Sequence, residues 1–343
     1  MTTVYEIDPL QETRWRVFLE EHRSASIFHT PEWLSALEHS YGYRARALTT
    51  SSPGERLTNA LVFCHVRSWA RRSRLVSVPF SDHCMPLVEN EEQFACLLSR
   101  LKDECDHGRQ SYLEIRSAEL GTGGLTDSAS FCLHRLDLRP STRELFQAFH
   151  ESCIRRKIAR AEREGVVYEE GASEELLQKF YKLTVLTRRR HQIPPQPLSW
   201  FRNLLACLGE KIKIRLASHD GQAAAGILTI RYKTTMTYKY GCSDARFHRI
   251  GPMQRLLWRA IQEAKNDGLL SFDMGRTDWN NEGLLAFKDH WGGARSTLTY
   301  LSYPANRNQR SRRIPSGLAK LFFNVAPSAV LAAAGDILYR HLD

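Results

Sequence analysis

The chain has 343 residues, with 48 Lys and Arg against 38 Asp and Glu, a formal net charge of +10. Hydrophobic residues make up 42% and charged residues 25%, an ordinary globular composition that excludes large-scale disorder. The length allows roughly two domains, each with a core that needs neither disulfide nor metal. The longest apolar run, near residues 329–334, is far short of the roughly 20 residues of a spanning helix. The opening MTTVYEIDPL carries acids and lacks the apolar core of a secretory signal. The 8 cysteines are scattered, with no C-x-x-C pair, which predicts free thiols in a reducing, cytoplasmic compartment. The positive charge predicts an anionic partner: nucleic acid, nucleotide phosphate or a membrane face.

Residues 10–22 carry Trp15, Phe18 and Leu19 at helical spacing. Thr30 before Pro31 is a helix start, with Trp33, Leu34 and Leu37 on the apolar face. Extended runs at 57–66 and 74–80 flank a basic hairpin-like segment, and 81–86 is a polar loop at a strand end. A helix over 91–107 leads to strands near 111–116 and 131–138, with the Gly/Thr/Ser stretch 121–130 as a loop. Residues 141–165 are helical with a break, and 174–190 form another helix. Pro194, Pro195 and Pro197 precede a short helix. Strands follow at 211–217, 223–231 and 234–240. Gly251-Pro252 opens a helix that stops at Gly268. A strand at 269–274, a polar turn at 275–281, a short helix ending at Gly292-Gly293 and a strand at 296–303 complete the order of an α/β (α+β) domain with a central mixed sheet. Beyond residue 305, Arg307, Arg310, Arg312 and Arg313 precede Pro315 and an apolar helical stretch. This tail reads either as a helix packed on the domain or as a peripheral contact with an anionic membrane.

The segment FDMGRTDWNNEGLLAFKDHWGG, from Phe272, resembles the C-terminal motif of the FemABX-like aminoacyltransferases and their acetyltransferase (GNAT-type) relatives. In that motif a strand ends in a D-x-G turn and a short helix carries F-K-x-x-F-G-G; here Trp291 replaces the second Phe. IRRKIARAEREGV, from Ile154, resembles the family's basic helix, and YKYGCS, from Tyr238, resembles the strand end before its long helix. FHTPEW…YGY and PFSDHC are similar to the exopolysaccharide-associated branch. The resemblance implies two GNAT-like subdomains in tandem, at 1–138 and 139–304, with 305–343 as the tail. It also implies transfer of an acyl or aminoacyl group onto an amine, the donor being acyl-CoA or an aminoacyl-tRNA, with no tightly bound cofactor. The implied acceptor is a nucleotide- or lipid-linked amino sugar or a peptide amine of a peptidoglycan, exopolysaccharide or other envelope precursor.

Acyl transfer needs a donor group at the developing oxyanion, a way to take the amine proton, and alignment. By resemblance Lys288 lies at the donor carbonyl. Arg295 can pair with a phosphate or with the same carbonyl region. Asp82 can accept the amine proton or bind a sugar hydroxyl, and the imidazole of His83 suits proton transfer near neutrality; a capping Asp beside a solvated His is the plain alternative. Arg156, Arg160 and Arg163 share one helix face suited to a diphosphate or a tRNA backbone, or are a solvated face diluted by Glu162 and Glu164. Arg188, in the run that ends its helix, is the expected phosphate contact by resemblance, although the helix C-terminus alone accounts for cations there. Tyr240 is placed to touch donor or acceptor, or packs as an aromatic. Asp278, with Asn280 and Asn281, offers a contact to a sugar hydroxyl, or the asparagines cap a helix. No spacing of residues suggests a metal site. The loop 244–252 departs from the R-x-x-G-x-G/A pattern for coenzyme A, since Pro252 has no amide hydrogen. A non-catalytic basic protein held on RNA or on an anionic membrane surface is the rival reading.

Overall fold

The structure is a computed structural model that describes residues 2–68, 71–108, 110–116, 123–304 and 326–339. The chain forms two compact units. One holds the chain to Phe131 and takes it up again at Leu298; the other holds Cys132–Thr297 and the described C-terminal helix.

The first unit contains β1 (Tyr5–Ile7), α1 (Trp15–Glu21), α2 (Pro31–Tyr41), β2 (Ala45–Thr49), β3 (Leu61–Ser68), β4 (Arg71–Val76), α3 (Glu91–Asp106), β5 (Leu113–Arg116) and the first half of β6 (Thr126–Asp137). β1 to β4 pair as successive antiparallel neighbours. β5 joins β4 in parallel and pairs with residues 300–303 of the last strand antiparallel. The α2 start is as expected: Thr30 Oγ1 accepts from Trp33 N, Pro31 takes the first turn, and Gly42 closes the helix at φ 71°. α3 lays Phe94, Leu97 and Leu101 on Phe63, Leu75 and Ile115.

The second unit contains the rest of β6, α4 (Thr142–Ala148), a π-helical turn (Glu151–Arg155), α5 (Arg156–Arg163), β7 (Val167–Gly171), α6 (Glu174–Arg190), α7 (Leu198–Leu208), β8 (Ile212–His219), β9 (Gln222–Tyr232), β10 (Thr235–Ser243), α8 (Pro252–Asn266), β11 (Ser271–Asp278), α9 (Glu282–Asp289), the start of β12 (Ala294–Tyr303), whose residues from Leu298 on belong to the first unit, and α10 (Ser328–Leu338). β7 to β10 are antiparallel neighbours, whereas β11 runs parallel to β10. The core packs Ile158, Ile227, Leu257, Ile261, Phe272 and Trp291 together. A mixed sheet flanked by helices is the class expected from the sequence. The basic part of the tail, with Arg307 to Arg313, lies outside the described residues.

Several strands differ from the sequence reading. β1, β2 and β7 have 3, 5 and 5 residues and are too short to show a pattern. β6 begins at Thr126, inside the stretch expected to be a loop, because Thr126 and Ser128 hydroxyls donate to the carbonyls of Ser302 and Tyr300 at 3.3 and 3.1 Å. β11 runs on to Asp278 through the stretch expected to be a turn.

A buried charge network ties β7, β8 and α8. Arg215 is 1% exposed and donates to Glu263 Oε2 at 2.5 Å, Glu170 Oε2 at 2.5 Å and Tyr168 at 2.7 Å. Lys213 adds bonds to Glu263 and Glu170 at 2.8 and 3.0 Å. Burial pushes the Glu263 carboxyl up, but Arg215 and Lys213 prevail and hold it well below the usual carboxylate range. Arg215→Met leaves two carboxylates with one cation, and unfolding in urea is expected to show a loss of about 3–5 kcal/mol. Adding Glu263→Gln should recover part of that loss.

Candidate active site

The D-x-G turn is built from Asp273, which is 2% exposed and accepts Gly275 N at 2.7 Å through Oδ1. Gly275 has φ 70°, a conformation in which a side chain is strained. Lys288 Nζ donates to the carbonyls of Gly275 and Arg276 at 2.7 and 3.2 Å. Lys288 is itself 2% exposed, on the last turn of α9. Asn281 caps the start of that helix, accepting Leu284 N at 3.2 Å. Trp291 is fully buried, with its ring centroid 5.0 Å from Phe149 and 6.4 Å from Phe287. The aromatic positions of the motif therefore seat α9 in the core, and the lysine between them turns inward onto backbone.

Asp289, the next residue, accepts from Arg295 Nε at 2.6 Å, and the pair is bidentate. Its Oδ1 also lies 3.0 Å from His134 Nε2. His134 is fully buried, and burial holds its pKa below the ordinary value against the pull of Asp289. His134 Nδ1 lies 3.6 Å from Cys132 Sγ. Burial raises the Cys132 thiol, so despite its histidine it is a poor nucleophile at neutral pH. The charges of Lys288 and Arg295 both act on Cys132 and His134. Arg295, expected at a phosphate or carbonyl, is engaged by Asp289. His134 has no local signal in the sequence, because its partner is 155 residues away.

β10 bulges between Tyr238 and Tyr240. Tyr240 OH accepts from Trp200 Nε1 at 2.9 Å, and its ring meets Phe201 edge-on at 5.2 Å. Gly251 precedes α8 at φ 80°, where a Cβ would lie 2.6 Å from Lys157 O. Close packing against α5 thus accounts for this glycine. Arg156 pairs with Glu151 at 2.7 Å and Arg160 with Glu164 at 3.5 Å, so the expected basic stripe is partly neutralised. Arg188 sits in the last turn of α6, where its charge and that of Arg190 lower the His191 pKa after burial does. Asp278 ends β11 exposed, its carbonyl accepting Asn281 N at 2.9 Å.

Asp82 and His83 belong to the first unit. Asp82 O accepts from Tyr300 OH at 2.7 Å. His83 is 8% exposed and packs edge-on against Phe28 at 5.3 Å, not as a solvated loop side chain. Beside it, His29 is 1% exposed; Ser26 N donates to Nδ1 at 3.1 Å, so Nε2 carries the proton toward Met85 O at 2.9 Å. A separate groove of about 560 Å³ is lined by Tyr41 and Tyr43 of the YGY segment together with Arg44, Arg46 and His65, which the sequence reading did not single out.

Burial pushes the His29 pKa from 6.5 to about 4. Between those values the unfolded chain binds a proton that the folded chain refuses. The contribution is therefore complete above pH 6.5 and disappears as pH falls toward 4, by about 3 kcal/mol. Urea unfolding across this window should show that His29→Asn has a flatter pH dependence than the parent chain.

Residues 149–289 match the acetyltransferase (GNAT) domain family. No curated protein matches the chain in sequence. Among solved structures, the fold is similar to FemX at TM-score 0.69 and 15% identity, covering 87% of this chain and 97% of that one. It is similar to L-PGS from Bacillus licheniformis at TM-score 0.55 and 17% identity, covering 88% and 93%. A tandem GNAT protein from the clavulanic acid biosynthesis pathway is similar at TM-score 0.54 and 11% identity, covering 88% and 97%. At these identities the likeness to the solved structures is one of fold. Residues 149–289 thus match an acetyltransferase (GNAT) domain, and the chain is similar to FemX in fold.

Proposed function

We propose that the chain is an N-acyltransferase that moves an acyl or aminoacyl group onto an amine of a cell-envelope or exopolysaccharide precursor. The amine attacks the donor carbonyl directly. The observation that carries this reading is the Lys288 ammonium, enclosed near the end of the acetyltransferase domain and oriented by two carbonyls. A pre-oriented ammonium needs no reorganisation when negative charge develops on a neighbouring oxygen. Arg295 acts as a positioning residue by holding Asp289, which in turn holds His134. Asp82 takes the amine proton or binds the acceptor, with His83 beside it. Tyr240, Arg188, Arg156 and Asp278 contact the substrates. The raised Cys132 thiol fits a route without a covalent enzyme intermediate.

Acyl-CoA is the donor class that a GNAT domain supports, and aminoacyl-tRNA is the second donor to test. The name of another solved structure of similar fold, the C-terminal domain of a putative lysylphosphatidylglycerol synthetase from Agrobacterium fabrum, supports a lipid-linked acceptor. Among the described residues no helix is long and apolar enough to cross a membrane. Val330 and Leu338 are 44% and 38% exposed on α10, which supports peripheral contact of the tail with the inner membrane face of a cytoplasmic enzyme.

The test is to incubate the purified chain with labelled acyl-CoAs and, separately, labelled aminoacyl-tRNA in an envelope-precursor extract. One label should move onto an amine, and Lys288→Met should cut the rate per folded molecule by about 100-fold. Unchanged turnover of folded Lys288→Met would remove the assignment. Steep, salt-sensitive RNA binding without transfer would favour the non-catalytic reading.

A further inference from the structure

Among the described residues, one group of side chains capable of binding a metal converges outside the cluster around Lys288: His150, Cys153 and His290. One donor atom from each lies within 4.8 Å of the other two. His150 follows α4 and caps the π-helical turn, its Nδ1 accepting Cys153 N at 3.2 Å. Cys153 sits inside that turn. His290 caps the C-terminus of α9. The segments are locked together by backbone, since His150 N donates to His290 O at 2.8 Å. This bond brings the two imidazole rings to a centroid distance of 4.4 Å.

We propose that His150, Cys153 and His290 bind a divalent transition-metal ion of the zinc class. Two imidazoles and a thiolate are a borderline-soft donor set that favours zinc over magnesium or calcium. Bond lengths of about 2.0–2.3 Å in a tetrahedral site place two imidazole nitrogens and a thiolate sulfur roughly 3.3–3.6 Å apart. From the 4.8 Å limit the three donors need to close by about 1.5 Å at most, within reach of side-chain rotation. His150 is exposed, and Cys153 and His290 are half-buried, so the rings and the thiol have room to turn. The site lies at the carbonyl end of α9, the end of a helix dipole that attracts cations. With three protein ligands, the fourth position falls to water. The ion would join the π-helical turn near the start of the acetyltransferase domain to the end of the helix that carries Lys288 and Asp289. It displaces the thiol proton to solvent as it binds. The inference rests on the cluster alone and does not depend on the acyl-transfer reading.

The test uses the full chain, stripped with a chelator and desalted. Titration with Zn²⁺ by calorimetry should show one equivalent bound and a rise in melting temperature. Titration with Co²⁺ should produce a thiolate-to-cobalt charge-transfer band. Cys153→Ser should abolish that band, and His290→Ala should weaken Zn²⁺ binding at least tenfold, with the metal-free melting temperatures close to the parent value. Absence of the cobalt band in the parent chain would overturn the proposal without recourse to any variant. So would equal Zn²⁺ affinity in the parent chain and the Cys153→Ser/His290→Ala double variant.

Discussion

A buried ammonium bonded to two main-chain carbonyls is the interaction that organises the second unit around its candidate site. Removing Lys288 from water is costly unless its donors are met, and Gly275 O and Arg276 O meet two of them. Those carbonyls are available because Gly275 adopts a left-handed conformation and Asp273 takes its amide hydrogen. The position of α9 follows from the same requirement, since the helix has to deliver its lysine to the turn while Trp291 enters the core. Asp289 and His290 are then carried on the end of a helix whose register leaves little freedom. The motif works as one mechanical part: a carboxylate shapes a turn, the turn offers oxygens, and a helix closes on them.

The charge of the chain acts locally more than globally. An excess of ten positive charges reads in sequence as a field that attracts anions. In the fold many of the cations are matched: Arg156 by Glu151, Arg246 by Asp244, Arg255 by Glu162 and Arg295 by Asp289. Exposed pairs of this kind contribute little to stability. Arg215 is different. It lies beneath the surface with two carboxylates and a tyrosine, where losing one member strands the others. The arginines therefore divide into a buried structural bracket and surface cations held in chosen orientations. Arg295 belongs with the second group, yet its partner also holds a fully buried histidine.

Much of the architecture was legible because helical and alternating periodicities are local properties of the chain. Thr30-Pro31, the long α6 and the α8 start at Gly251-Pro252 all announce themselves in a few residues. The polar beginning of β6 did not, because its hydroxyls are satisfied by a strand far away in sequence. β11 through Gly275 did not, because a glycine and an aspartate ordinarily signal a turn, whereas here the turn is absorbed into the strand. Lys288 could be picked out from its motif. Its burial could not, since a lysine next to an aspartate and a histidine reads as surface.

The sequence by itself determined the longer helices and most of the longer strands, the mixed α/β class, and the contiguous motif that resembles that of the acyltransferases, because each is written in neighbouring residues. Tertiary structure alone decided which side chains meet: His134 with Asp289, Arg215 with Glu263, His150 with His290. The physical reason is the same in each case. Hydrogen bonds and ion pairs depend on distances of about 3 Å, and only the packing of sheet and helices brings residues so far apart along the chain within that reach.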